Sequence, residues 1–146
     1  MSLCAEFEGR AAFAVVYLEE AHPTDGWMYP AVRHFVAQHT ALGERRAAAA
    51  ILQQEMEAIL HKEEEEEQQQ QQKPAASTSS SSLTRSASLP RLLVDTMENK
   101  ASLAFGALPE RLAIVVNGRV HFLGGKGPEM YSVADCRAAL AKLLGT

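Results

Sequence analysis

Apolar residues along the chain fall either into short unbroken runs or into longer stretches with helical spacing, and the two patterns predict different elements. AAFAVVYL, Ala11 to Leu18, is β-branched and aromatic and is apolar on both faces. It is too short for a typical buried helix, so it predicts a central strand of a sheet covered on both sides. RLLVD, Arg91 to Asp95, is a second short run. ERLAIVV and RVHFLGG follow, separated by Asn117-Gly118, and an Asn-Gly pair between apolar runs is the strongest short-range hairpin signal. Helical spacing governs two other stretches. Leu42, Ile51, Leu52, Met56, Ile59 and Leu60 recur among Ala, Glu and Gln, all good helix formers. A helix from about Leu42 is expected to run into the Glu tract and fray there. At the end, SVADCRAALAKLL places Val133, Cys136, Leu140 and Leu143 on one face behind an N-cap, Ser132, and predicts an amphipathic closing helix.

The middle of the chain reads EEEEEQQQQQQKPAASTSSSSLTRSASLP, with almost no apolar residue to bury. Such composition predicts a low-complexity disordered insertion over 63–88. It divides one domain into a first part, 1–62, and a second part, 89–146. The resulting order is strand, helix, strand, short helix, hairpin, helix. This is an α/β order, and it matches the thioredoxin-like fold from its second strand onward. That fold begins with a strand leading into a helix whose N-terminus carries the redox residue. Met1 to Gly9 supply at most the end of such a helix, so the first strand and part of the first helix are expected to be lacking.

Composition narrows the function classes. With 146 residues, 47% of them hydrophobic, the chain can build one ordinary core. A formal charge of −4 with scattered basic residues offers no stripe for phosphate backbones, so nucleic acid is not an expected partner. Ala11 to Leu18 is far short of the roughly 20 residues that span a bilayer, and Met1 opens no signal-peptide pattern. The chain as given is therefore expected to be soluble and intracellular. Cys4 and Cys136 form neither a CxxC pair nor a metal-ligand spacing, so neither a disulfide framework nor a zinc site is suggested.

Candidate chemistry concentrates in VVYLEEAHPTDGW, Val15 to Trp27. Residues following a parallel strand emerge at the carboxyl edge of the sheet, where open α/β folds place ligands, and Glu19, Glu20 and His22 would sit there. An imidazole beside a carboxylate is a usable proton donor near neutral pH, and Trp27 could offer a flat wall to an aromatic ligand. The plainer alternative is that Glu and His solvate a strand end, Pro23 to Gly26 form a turn, and Trp27 packs in the core. His39 precedes the long helix, where the positive helix end would lower its pKa, or it is an ordinary surface histidine. His34 and His61 have no supporting context, and His121 reads as a strand residue. In GGKGP, Gly124 to Pro128, glycines permit close backbone approach and Lys126 offers a charge to an anion, although a glycine-rich turn is the commoner explanation. There is no P-loop pattern.

Taken together, VVYLEEAHPTDGW, AQHTALGER, LLVDTMENKASLAFGALPERL and NGRVHFLGGKGPEMY resemble the iodothyronine deiodinases, with several details nearest the type 3 branch. The resemblance covers about Leu3 to Leu144 apart from the Glu/Gln/Ser insertion. It implies a thioredoxin-like oxidoreductase that reductively removes iodine from thyroid hormones, thyroxine and related iodothyronines, with a thiol as final reductant and no bound cofactor. Carried over by position, Glu20, His22 and Glu110 are then catalytic. Tyr17, Trp27, His39 and Lys126 are then substrate-binding. Lys126 stands where an arginine is expected, so a planar bidentate clamp becomes a point charge.

The resemblance further implies a homodimer and a membrane anchor in an N-terminal segment absent here. It implies a selenocysteine upstream of Met1, since Cys4 lies too close to the EEAH motif to replace it and reads as a small core-facing residue. A selenocysteine codon read as a stop would account for this start, and the chain alone is expected to be inactive. The competing reading is a non-catalytic thioredoxin-like module that binds iodothyronines or a partner subunit. Separately, RSASLP, Arg85 to Pro90, fits the basic, phosphoserine and proline pattern read by 14-3-3 proteins, with Ser88 as the phosphosite.

Overall fold

The structure, a computed structural model, describes residues 3–30, 33–71 and 89–146. Strands β1 (Ala14–Tyr17) and β2 (Arg91–Val94) pair in parallel, from Ala14 opposite Arg91 to Tyr17 opposite Val94. A parallel pair requires a crossover, and helix α2 (Leu42–Gln71) supplies it by packing against β2. Its start is closed by Glu44, whose carboxylate accepts the Thr40 and Ala41 amides and the Thr40 hydroxyl. The face it buries is carried by Arg45, Ala48 and Ala49. Leu42 and Ile59, expected on that face, are exposed.

Helix α2 runs into the Glu tract, as its spacing led one to expect, and continues as far as Gln71. Glu and Gln are good helix formers, and extending an existing helix adds a hydrogen bond per residue without a new nucleus. Lys62 and Glu66 pair one turn apart at 3.9 Å. The remainder of the expected insertion, including Ser88, lies outside the described residues.

Helix α3 (Lys100–Phe105) follows β2, and β3 (Ala113–Val116) and β4 (Arg119–Leu123) form the antiparallel hairpin. Asn117 and Gly118 make its turn at φ 50° and 75°, the positive values that an Asn-Gly pair tolerates. Helix α4 (Val133–Leu144) begins where Ser132 Oγ accepts the Asp135 amide at 3.1 Å, and Gly145 closes it at φ 72°. It buries Cys136 and Leu140, whereas Val133 stays exposed. The single turn α1 (Leu3–Glu6) is tied to α4 by Arg137 Nε, which donates to both Glu6 carboxylate oxygens at 2.9 and 2.7 Å, with Phe7 buried just beyond it.

The mixed α/β class holds, but among the described residues the strands form two separate two-stranded sheets. β1 is therefore not the doubly flanked central strand that AAFAVVYL suggested. Among the described residues its only strand neighbour is β2, and Val16 remains 38% exposed.

Candidate functional site

β1 ends at Tyr17, and the residues after it leave the ladder with backbone groups to satisfy. The Tyr17 hydroxyl donates to Glu20 Oε1. Glu19 Oε2 accepts Asn99 Nδ2 at 2.7 Å, and Asn99 Oδ1 accepts Arg45 Nη1 at 2.8 Å. Arg45 is almost wholly buried and also donates to the Thr96 carbonyl at 2.6 Å. A buried guanidinium thus fastens the end of β1 to the β2–α3 junction. Beyond β1, the Gln38 side chain bonds the Glu20 backbone in both directions, at 3.2 and 3.0 Å.

His39 is carried in beside Gln38. Its side chain is 2% exposed, its Nε2 lies 3.8 Å from Glu20 Oε1, and its ring centroid is 5.9 Å from that of Tyr17. Neither ring nitrogen has a hydrogen-bond partner among the described residues. Burial pushes the imidazole pKa below its ordinary value, while the Glu20 charge opposes the shift. The expected direction is found, but the leading cause is desolvation and not the helix end. Tyr17 is shifted upward by burial, by its bond to Glu20 and by that carboxylate's charge.

A cavity of about 880 Å³ opens between β1 and β3. All of Ala14 to Tyr17 line it, so it runs along the edge of β1 and not over one face. Glu19, Glu20 and His22 continue the lining, and Glu110 and Tyr131 line it from the segments flanking the hairpin. Glu110 is held at a tight approach: the Gly127 amide donates to its carbonyl at 3.0 Å, and a Cβ at Gly127 would overlap its carboxylate. The structure thus brings Tyr17, Glu20, His22 and Glu110 to one cavity, with His39 directly behind Glu20.

Trp27 and Lys126 are not among the lining residues. Trp27 is 76% exposed, which also overturns the alternative that it packs in the core. It meets His22 edge-on at 4.7 Å, and its carbonyl lies 3.2 Å from His22 Nδ1. Lys126 is exposed on the turn next to Gly127. His34 pairs with Glu55 at 2.8 Å and is a loop tether.

Sequence reasoning passed over Gln38, Arg45 and Asn99, because polar residues in a loop, a helix and a turn carry no periodic signal. Neither cysteine lines the cavity, and burial pushes both thiols up in pKa. Among the described residues, no cluster of His, Cys, Asp or Glu could hold a metal ion, and no helix is long and apolar enough to cross a membrane.

A family model described as iodothyronine deiodinase matches residues 1–62 and 58–144. The thyroxine 5-deiodinase of Gallus gallus is 31% identical over 145 residues, covering 94% of this chain and 42% of that one. The thyroxine 5-deiodinase of Homo sapiens is 30% identical over 140 residues, covering 96% and 36%. The type II iodothyronine deiodinase of Petromyzon marinus is 33% identical over 138 residues, covering 94% and 38%. The chain thus spans about two fifths of the length of the relatives it matches. A match over nearly the whole chain, joined to a cavity bearing the EEAH residues, shows that the chain belongs to the iodothyronine deiodinase family.

Proposed function

We propose that this chain forms the substrate side of a thioredoxin-like deiodinase domain that reductively removes iodine from an iodothyronine such as thyroxine. The observation that carries the reading is the convergence of Tyr17, Glu20 and His22 with Glu110 on one cavity. A parallel pair, an antiparallel hairpin and a cavity along the free edge of β1 support the thioredoxin-like architecture. In that architecture one further strand lies between β1 and β3.

In the reaction a soft nucleophile takes iodine from the ring carbon as I⁺ and the carbon takes a proton. Two thiols then release iodide and restore the nucleophile as they become a disulfide. Glu20 and His22 line the cavity and serve the proton transfer, with Tyr17 holding the Glu20 carboxylate. Lys126, exposed outside the cavity lining, keeps only the role that the resemblance gives it, a positive charge for an anionic group of the substrate. Neither cysteine lines the cavity, and the nucleophile in this proposal is the selenocysteine upstream of Met1 that the family resemblance implies.

The test is iodide release from thyroxine, with dithiothreitol as reductant, by the chain extended with the upstream selenocysteine segment. Release is expected, and Glu20→Gln and His22→Asn are each expected to lower it by about a hundredfold or more. The chain alone should release none. The absence of a thiol from the cavity lining favours a second reading, a non-catalytic module that binds iodothyronine or a partner subunit. Thyroxine binding without iodide release by the extended chain would establish that reading. Homodimer formation, membrane anchoring through an upstream segment and a 14-3-3 contact at phosphorylated Ser88 are further parts of the proposal. Each is checked on the extended protein, by sedimentation, membrane fractionation and phosphopeptide mapping.

A further inference from the structure

Gln38 carries no acid, base or nucleophile, yet its side chain is the most heavily shared amide near the site. Oε1 accepts the Glu20 amide at 3.2 Å and the His39 amide at 3.2 Å, while Nε2 donates to the Glu20 carbonyl at 3.0 Å. Glu20 lies past the end of β1, where no strand among the described residues satisfies its backbone. One planar amide, with a donor and an acceptor side by side, substitutes for the missing strand. Gln38 is itself held, because its N–H donates to Asp25 Oδ1 at 2.8 Å and the Thr24 amide donates to the Val36 carbonyl at 2.9 Å. The strand end and the segment leading into α2 are therefore locked together at this side chain.

We infer that Gln38 is the positioning residue that sets Glu20 against His39. Because the same oxygen accepts both backbone amides, displacing it frees both residues at once. The Glu20 carboxylate and the His39 imidazole, 3.8 Å apart, then lose their fixed relation. Only the importance of that pair for catalysis rests on the proposed function. The placement itself is a property of the chain as it stands.

The side-chain requirement is narrow. Glutamate keeps the shared acceptor and loses the donor, asparagine is one methylene too short, and methionine keeps the volume while losing all three bonds.

The experiment is native-state amide hydrogen exchange by NMR on the unliganded chain, which needs neither substrate nor turnover. In Gln38→Met the Glu20 and His39 amides are expected to exchange about tenfold faster. The Ile114 and Phe122 amides in the hairpin are expected to stay at the wild-type rate. Gln38→Glu should restore protection at both amides, because it retains the oxygen they share. Met and wild-type chains with equal exchange at Glu20 and His39 would overturn the inference. So would a uniform acceleration that includes the hairpin, or a Glu variant that protects neither amide while its hairpin is intact. Should the Met variant fail to fold, the Glu variant decides by the same two amides. A failure of deiodination by the extended protein would leave this result standing, so the two readings fail separately.

Discussion

His39 is buried with neither ring nitrogen hydrogen-bonded among the described residues, so its protonation state is tied to folding. Its folded pKa lies below the ordinary 6.5, and the unfolded chain therefore binds a proton that the folded chain refuses. Stability from this residue is full above 6.5 and is lost as pH falls from there through the folded value. Urea unfolding at pH 8 and pH 5.5 should show wild-type chain losing more stability than His39→Leu, and equal losses would count against the assignment. Glu110 depends on a different kind of neighbour. The atoms that a Cβ at Gly127 would meet belong to the Glu110 side chain, which can swing away. We expect Gly127→Ala to cost under about 1 kcal/mol, yet to depress iodide release by the extended protein as far as Glu110→Gln does. Unchanged turnover would show that the carboxylate is not needed at the cavity. In the sequence Glu20 and His22 were legible from their place after a strand, whereas Gln38 was not, because its role lies in backbone contacts with a residue distant in sequence.

At the scale of elements, the caps carry sharper expectations than the apolar faces. Ser132→Ala removes the side-chain acceptor at the start of α4 and should cost about 1 kcal/mol, read as a lower urea midpoint at unchanged slope. A cost near zero would mean that Glu6–Arg137 alone holds this end. Helix α3 is capped less obviously. Asn99 precedes it but makes no side-chain cap bond, since its amide links Arg45 to Glu19. Asp95 caps α3 instead, accepting the Thr96, Ala101 and Ser102 amides. Burial alone would raise the Asp95 pKa, but these amides and Arg45 bring it below its ordinary value of 3.8. Its contribution is therefore present above that value and is lost as pH falls from there through the lower folded value. Asp95→Asn turns a donor toward donors and should destabilise by about 1–3 kcal/mol, measured in the same urea titration. A neutral result would show that α3 holds without this cap.

For the whole molecule, the decisive feature is that, among the described residues, β1 and β3 each keep an unpaired edge beside the cavity. Unpaired N–H and C=O groups next to exposed Val16 and Val115 form a template for another strand. The chain by itself is expected to self-associate as its concentration rises, and Val16→Lys is expected to reduce that association. Sedimentation equilibrium that finds a monomer throughout would refute this. The extended protein should melt at a higher temperature and associate less through these edges, because a strand between β1 and β3 would satisfy them.

What the sequence determined by itself was local. Short unbroken apolar runs, a helical period, Asn117-Gly118 and Ser132 each act over a few residues, so the elements were legible, and so was the EEAH motif at a strand end. Helix α2 carried on from the Glu tract, where fraying was expected, to Gln71, because Glu and Gln continue an existing helix at little cost. Tertiary structure alone decided which residues meet. It buried Arg45, placed His39 behind Glu20, left Trp27 in solvent, kept Lys126 out of the cavity lining and left the two strand pairs apart. The physical reason is that periodicity records which way a residue faces along its own element. The partner across space is selected by chain closure, burial and the need to satisfy each backbone polar group.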